Sequence, residues 1–293
     1  MKVAINPMQW PGGGRGPEVL DQVLAEVAAA GFGAVHTDVP EGEGVGAYRD
    51  RLGRHGLAPA PGYLAGELHR PAARPELLEG ARRAAAQHAE LGLGEIFLAG
   101  RLVPERMRRP ARSGDVAPDV ATLDLIAESV RLVAEVMAPE GVRLCLHNHV
   151  GSLIESEAEL EHLLAATDPG LVRLGPDTGH LAWAGADPAA FLGRHRDRVG
   201  ALHLKDVRLA VAERGRREDL DYPEQVALGL WAELGLGDLP LEECLRVVAA
   251  PNLWVVVEVD RASRPTPLES ARTCAGWLAR TAPALGRHTS AGA

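Results

Sequence analysis

"PDVATLDLIAESVRLVAEVMAPEGVRLCLHNHV", Pro118–Val150, decides how the chain folds. Pro118–Met137 carries an apolar stripe at helical spacing. Val142–His149, "VRLCLHNH", is a short apolar run that reads as a strand and closes on two histidines, His147 and His149. A helix leading into a strand with polar groups at its end is one unit of an alternating α/β chain. The same unit recurs in both directions. Further strand candidates are Lys2–Asn6, Ala34–Val39, Leu57–Tyr63 and Glu95–Gly100 before it, and Val172–Asp177, Val199–Asp206 and Leu253–Asp260 after it. Gly31, Gly56 and Gly92 each sit between a helix and a strand, as helix-ending glycines do. Eight such units predict a single (β/α)8 barrel over residues 1–285. No GxGxxG follows the first strand, which weighs against an open doubly wound sheet.

Composition agrees. The 293 residues suit one barrel, and 46% hydrophobic content is enough for a sizeable core. A net charge of −9 weighs against nucleic acid as the partner, because phosphate binding needs a basic surface. Cys145, Cys244 and Cys274 show no paired spacing and read as reduced core thiols. "MKVAINPMQW" has no long apolar stretch, and no apolar run approaches a membrane span. A cytoplasmic protein with no membrane partner is the expectation. Two long segments follow strand ends: a polar loop at 99–118 and an insertion at 207–240. Loops on that side of a barrel shape or cover the site. Residues 286–293 read as a disordered tail.

The polar residues at the strand ends carry the chemistry. The last four strands end in His147 and His149, in Asp177 (followed by His180), in His203, Lys205 and Asp206, and in Glu258 and Asp260. Each motif alone has a bland reading. A lone histidine is more often structural, Asp177 suits a helix cap, and "HLKD" suits an ion pair. Converging in one cavity, imidazoles and carboxylates suit one divalent ion, Mn, Co, Zn or Fe rather than Ca. With one residue per strand, the economical set is His147, Asp177, His203 and Glu258. His149 remains an alternative to His147.

At these residues the chain resembles a known family. "HNHVGS", "PDTGH" and "HLKDVR", in that order and spacing, are similar to the xylose isomerase-like barrels, the superfamily of sugar-phosphate isomerases and epimerases. Within it the chain most resembles the inosose dehydratases of inositol catabolism. The insertion, "VVVEVD" and the opening "AINPMQW" with Trp10 also fit. The resemblance implies one divalent metal on His147, Asp177, His203 and Glu258. The epimerases have a glutamate at the first position that also serves as a second base; here it reads His147.

That departure mildly favours elimination of water over two-base epimerisation. Elimination needs a base for the proton α to the ketone, a Lewis acid, and an acid for the departing hydroxide. Glu258 is a candidate base or ligand. His180, His149 and Lys205 are candidate acids, and Arg208, Asp206, Trp10 and Asp260 are candidate substrate contacts. The expected activity is a metal-dependent hydro-lyase acting on a small polyhydroxylated keto substrate, a keto-cyclitol such as 2-keto-myo-inositol. The alternative is an isomerase or epimerase of a free keto-sugar. An apurinic endonuclease would need a basic groove, and a non-catalytic sugar-binding barrel would need an incomplete metal site. Barrels of this kind often pair, so a homodimer or tetramer is expected.

Overall fold

The computed structural model describes residues 1–14, 19–112 and 116–288. Its strands are β1 (Lys2–Asn6), β2 (Ala34–His36), β3 (Ala58–Ala60), β4 (Tyr63–Gly66), β5 (Glu95–Gly100), β6 (Arg143–Leu146), β7 (Val172–Leu174), β8 (Ala201–Leu204), β9 (Asp206–Val207), β10 (Trp231–Ala232) and β11 (Trp254–Glu258). The helices packed around them are α1 (Leu20–Ala29), α2 (Val45–Arg54), α3 (Arg74–Glu90), α4 (Pro104–Arg108), α5 (Val120–Met137) and α6 (Glu157–Ala165). They continue as α7 (Thr178–Trp183), α8 (Pro188–His195), α9 (Leu209–Glu218), α10 (Tyr222–Ala227), α11 (Leu241–Val248) and α12 (Pro267–His288).

The decisive stretch folds as expected, with tighter limits. Asp119 caps α5, its carboxylate accepting the Thr122 N–H at 2.8 Å. Leu123, Ile126, Val130, Val133 and Met137 bury one face of that helix. β6 ends at Leu146, so His147 and His149 follow the strand rather than belong to it. Gly31, Gly56 and Gly92 do adopt positive φ, at 99°, 68° and 74°.

All barrel strands run parallel, in two arcs. β3-β2-β1-β11-β8 form one sheet and β4-β5-β6-β7 the other. At one seam, single bridges join Leu174 to Val199 and Asp177 to His203, with the Gly200 N–H on the Leu174 carbonyl at 2.8 Å. At the other seam the expected strand 57–63 is broken at Pro61–Gly62 into β3 and β4. β3 pairs with β2 and β4 with β5, so one kinked strand serves both arcs and the barrel strands number eight among the described residues. The kink needs glycine: a Cβ on Gly62 would lie 2.6 Å from the Thr37 carbonyl oxygen. The Gly62 N–H donates to His88 Nε2 at 2.9 Å, which holds the turn.

Each arc has its own apolar layer. Leu24, Val27, Leu52 and Leu245 pack on the first, and Leu77, Ile126, Val130 and Leu160 on the second. A fully buried side chain of this size contributes roughly 1.5–3 kcal/mol. The insertion builds a third small core of Trp183, Val207, Ala212, Leu230 and Trp231. The expected polar loop 99–118 contains α4, whose Arg106 is fully buried between Glu155 and Glu159; residues 113–115 lie outside the described residues. α12 runs into the expected tail as far as His288, and 289–293 lie outside the described residues. The three cysteines are buried and free. Among the described residues no helix is long and apolar enough to cross a membrane.

Candidate metal centre

Four segments meet at the carboxyl ends of the strands. Just past β6, His147 hydrogen-bonds through Nδ1 to the Gly175 carbonyl at 3.0 Å. A carbonyl only accepts, so the proton is assigned to Nδ1 and the lone pair to Nε2. Asp177 caps α7: its Oδ1 accepts the His180 N–H at 2.8 Å, and its own N–H donates to Asn148 Oδ1 at 2.9 Å. The other oxygen, Oδ2, makes no hydrogen bond; Lys205 Nζ stands 3.4 Å away. His203, in β8, is 1% exposed and has no hydrogen bond at either ring nitrogen. Donor atoms of His147, Asp177 and His203 all lie within 4.8 Å of one another. Glu258 ends β11 beside them, with Oε2 3.4 Å from His203 Nδ1. Asn6 Nδ2 donates to that same oxygen, and Lys205 Nζ donates to Oε1 at 2.6 Å.

Buried polar atoms without partners are rare, and here three fall in one cluster of potential ligands. Their electrostatics fit a cation. Burial holds the His147 imidazole well below its ordinary range, and burial pulls His203 down to about 4. Both are therefore neutral near pH 7, the form that ligates. Burial pushes Asp177 up to about 6, partly offset by the Lys205 charge. Burial also raises Glu258, but the Lys205 ammonium and His203 outweigh it and hold the carboxyl well below its ordinary range. Lys205 is fully buried and still firmly protonated, because Asp177, Asp260 and Glu258 outweigh the cost of burial. It donates to Asp260 Oδ1 at 2.7 Å and lies 4.6 Å from the Trp231 ring centre. One ammonium thus faces three carboxylates. A divalent ion on His147, Asp177, His203 and Glu258 matches both the surplus negative charge and the unpartnered atoms.

A cavity of about 440 Å³ opens over this cluster, lined among others by His36, Tyr63, Arg101, His147, His149 and Glu258. That is within the usual range for small-molecule sites. His149 faces it with its Nδ1 on the Val150 carbonyl at 2.7 Å, and burial holds its pKa down at about 4. His180 is fully buried against His149, ring centres 3.8 Å apart. Its Nδ1 accepts the Val150 N–H at 3.3 Å.

The other expected contacts lie elsewhere. Trp10 donates from Nε1 to Glu26 at 2.7 Å and does not line the cavity. Asp206 is buried under the insertion, accepting backbone N–H groups of Val207, Gly235, Gly237 and Leu239. Arg208 is not paired with Asp206; it donates to the carbonyls of Gly229 and Trp231, both at 2.7 Å. Asn6, His36 and Tyr63 were not among the expected residues. Asn6 and His36 end β1 and β2, so the rule applied to the last four strands would have found both.

Comparison with known proteins agrees with this architecture. Residues 24–281 match the xylose isomerase-like TIM barrel family. The inosose dehydratase of Geobacillus kaustophilus is 28% identical over 271 residues, spanning 89% of this chain and 87% of that protein. The rhizopine catabolism protein MocC of Rhizobium meliloti is 29% identical, spanning 99% and 91%. Among solved structures, an IOLI protein with a bound zinc atom superposes with a TM-score of 0.66 at 16% identity, over 97% of this chain and 98% of that one. At that identity the last likeness speaks for the fold alone. The chain belongs to the xylose isomerase-like TIM barrel family.

Proposed function

We propose that the chain is a metal-dependent hydro-lyase that removes water from a keto-cyclitol such as 2-keto-myo-inositol. The observation that carries this reading is the trio His147, Asp177 and His203, whose ligand atoms lie within 4.8 Å of one another with those of Asp177 and His203 unpartnered, and whose His147 lines the 440 Å³ cavity. The relatives named as inosose dehydratases support the reaction class. The trio and Glu258 would hold a divalent ion, which would supply Lewis-acid polarisation of the ketone.

The chain's own residues divide the remaining work. Glu258 is tied by Asn6 and Lys205, which suits a fixed ligand rather than a mobile base. His149 faces the cavity with Nδ1 committed to the Val150 carbonyl, so its Nε2 carries the lone pair. It accepts the proton α to the ketone. As an imidazolium it returns that proton to the departing hydroxide, so that one C–H and one C–O bond break and one water leaves. Lys205 and Asp260 hold the charge of this wall.

Epimerisation through two flanking bases is mildly disfavoured, since the position where the epimerases carry a glutamate as ligand and second base holds the imidazole of His147, its Nδ1 on the Gly175 carbonyl. The test is direct. Purified protein loaded with Mn or Co and given 2-keto-myo-inositol releases a product lighter by one water that absorbs in the ultraviolet. An isomer of unchanged mass instead, or no reaction, refutes the lyase assignment.

A further inference from the structure

Tyr63 is the first residue of β4, directly after the kink at Pro61–Gly62. Its ring meets the His147 ring edge-on at 5.3 Å and lies stacked over the His203 ring at 6.3 Å. It lines the cavity with His149 and Glu258. The phenol therefore stands directly over the candidate metal ligands.

Its hydroxyl has no hydrogen-bond partner among the described residues. The contrast with Tyr48 is informative, because the Tyr48 hydroxyl accepts the Asp38 N–H at 3.3 Å. A phenol carries one donor and also accepts, and on this half-buried, cavity-lining residue both are open to a ligand. Nothing in the fold supplies one for Tyr63. The chain nevertheless maintains the features that bring this side chain here. Gly62 leaves no room for a Cβ, and His88 comes from α3 to hold the Gly62 N–H.

We propose that Tyr63 is a substrate-binding residue whose O–H donates to a substrate oxygen other than the ketone oxygen. The substrate this requires is polyhydroxylated, with an oxygen on the side of the ring facing β4. The inference rests on the cavity's being the substrate site of the proposed lyase. It adds a contact from the third barrel strand, two strands before the one that leads to His149.

The experiment compares the metal-loaded protein with Tyr63→Phe, which keeps the ring and its packing on His147 and His203. Because the hydroxyl has no protein partner, melting temperature and bound metal stay at parent values. kcat/KM for 2-keto-myo-inositol falls about tenfold, and so does calorimetric affinity for myo-inositol, as expected for one neutral hydrogen bond. The difference shrinks for a deoxy-cyclitol lacking the matching hydroxyl. A Tyr63→Phe protein equal to the parent in turnover and binding overturns the inference and leaves the lyase reading standing. So does one that loses metal or stability, because the hydroxyl then serves the fold. A parent that binds cyclitols without turning them over refutes the lyase reading alone, and the affinity comparison still decides Tyr63. A parent that neither binds nor turns over any cyclitol overturns both.

Discussion

Replacing His203 with leucine stabilises the metal-free protein and abolishes its response to metal. Both ring nitrogens of His203 are buried without hydrogen bonds, and its nearest polar neighbour is Glu258 Oε2 at 3.4 Å. Leaving a buried polar atom unsatisfied costs about 1–3 kcal/mol. Leucine has nearly the volume of histidine and packs against Phe97, whose ring centre lies 4.2 Å from that of His203. After discounting the Glu258 contact, the net gain is about 1–3 kcal/mol. For a chain of this length that raises the melting temperature by roughly 2–6 °C. The parent gains about 2.7 kcal/mol when metal is present at a hundred times its Kd; the variant gains nothing. Circular-dichroism melts with chelator, and with added Mn, measure all four states. The reasoning fails if metal-free His203→Leu melts below the metal-free parent by a similar margin. It also fails if Mn still raises the variant's melting temperature by the parent's increment.

Two further outcomes follow from charges away from the cluster. Arg106→Met strands the buried carboxylates of Glu155 and Glu159 and costs about 3–5 kcal/mol by urea denaturation; a loss below about 1 kcal/mol contradicts the ion-triad account. Burial holds the His88 ring below its ordinary pKa, against the raising effect of its hydrogen bond to the Ala84 carbonyl, and only the neutral ring can accept the Gly62 N–H at Nε2. As pH falls below about 6.5 the unfolded chain takes up this proton before the folded one, so His88's contribution is complete above that pH and lost beneath it. The site histidines add to the same slope, so His88→Gln loses less stability than the parent between about pH 7 and about pH 5 without becoming flat. Equal slopes in paired urea titrations contradict this role.

Much of the barrel could be read from the chain because its strands are short apolar runs alternating with helices, several of them preceded by a helix-ending glycine such as Gly31, Gly56 and Gly92. Glu95–Gly100 and Lys2–Asn6 appear with the expected limits. The kink at Pro61–Gly62 was not legible, since periodicity cannot show that one strand must pair with two arcs. Strand alternation was also too coarse for the histidine pair. β6 ends before His147, and what separates His147 from His149 is which carbonyl each Nδ1 meets, Gly175 or Val150. Asp206 and Arg208 looked like ligand-binding charges. Their partners are backbone groups of the insertion, 21 to 33 residues away in sequence apart from the neighbouring Val207, and a sequence motif does not show such pairings. Arg106 was hidden for the opposite reason, its two carboxylates lying in a separate segment 49 and 53 residues on.

The division of the barrel into two arcs bears on how the chain assembles. The β4–β7 arc is drawn from one continuous piece of sequence, 63–174, whereas the other arc joins β1 to β11 across the whole molecule. Contacts of short sequence separation form early, and closure of the long loop comes last. His147 follows the local arc, while His203 and Glu258 belong to the long-range one. If the proposed site holds a metal, its complete set of ligands exists only in chains whose two arcs have joined, and metal uptake during refolding would be a clock for that final step.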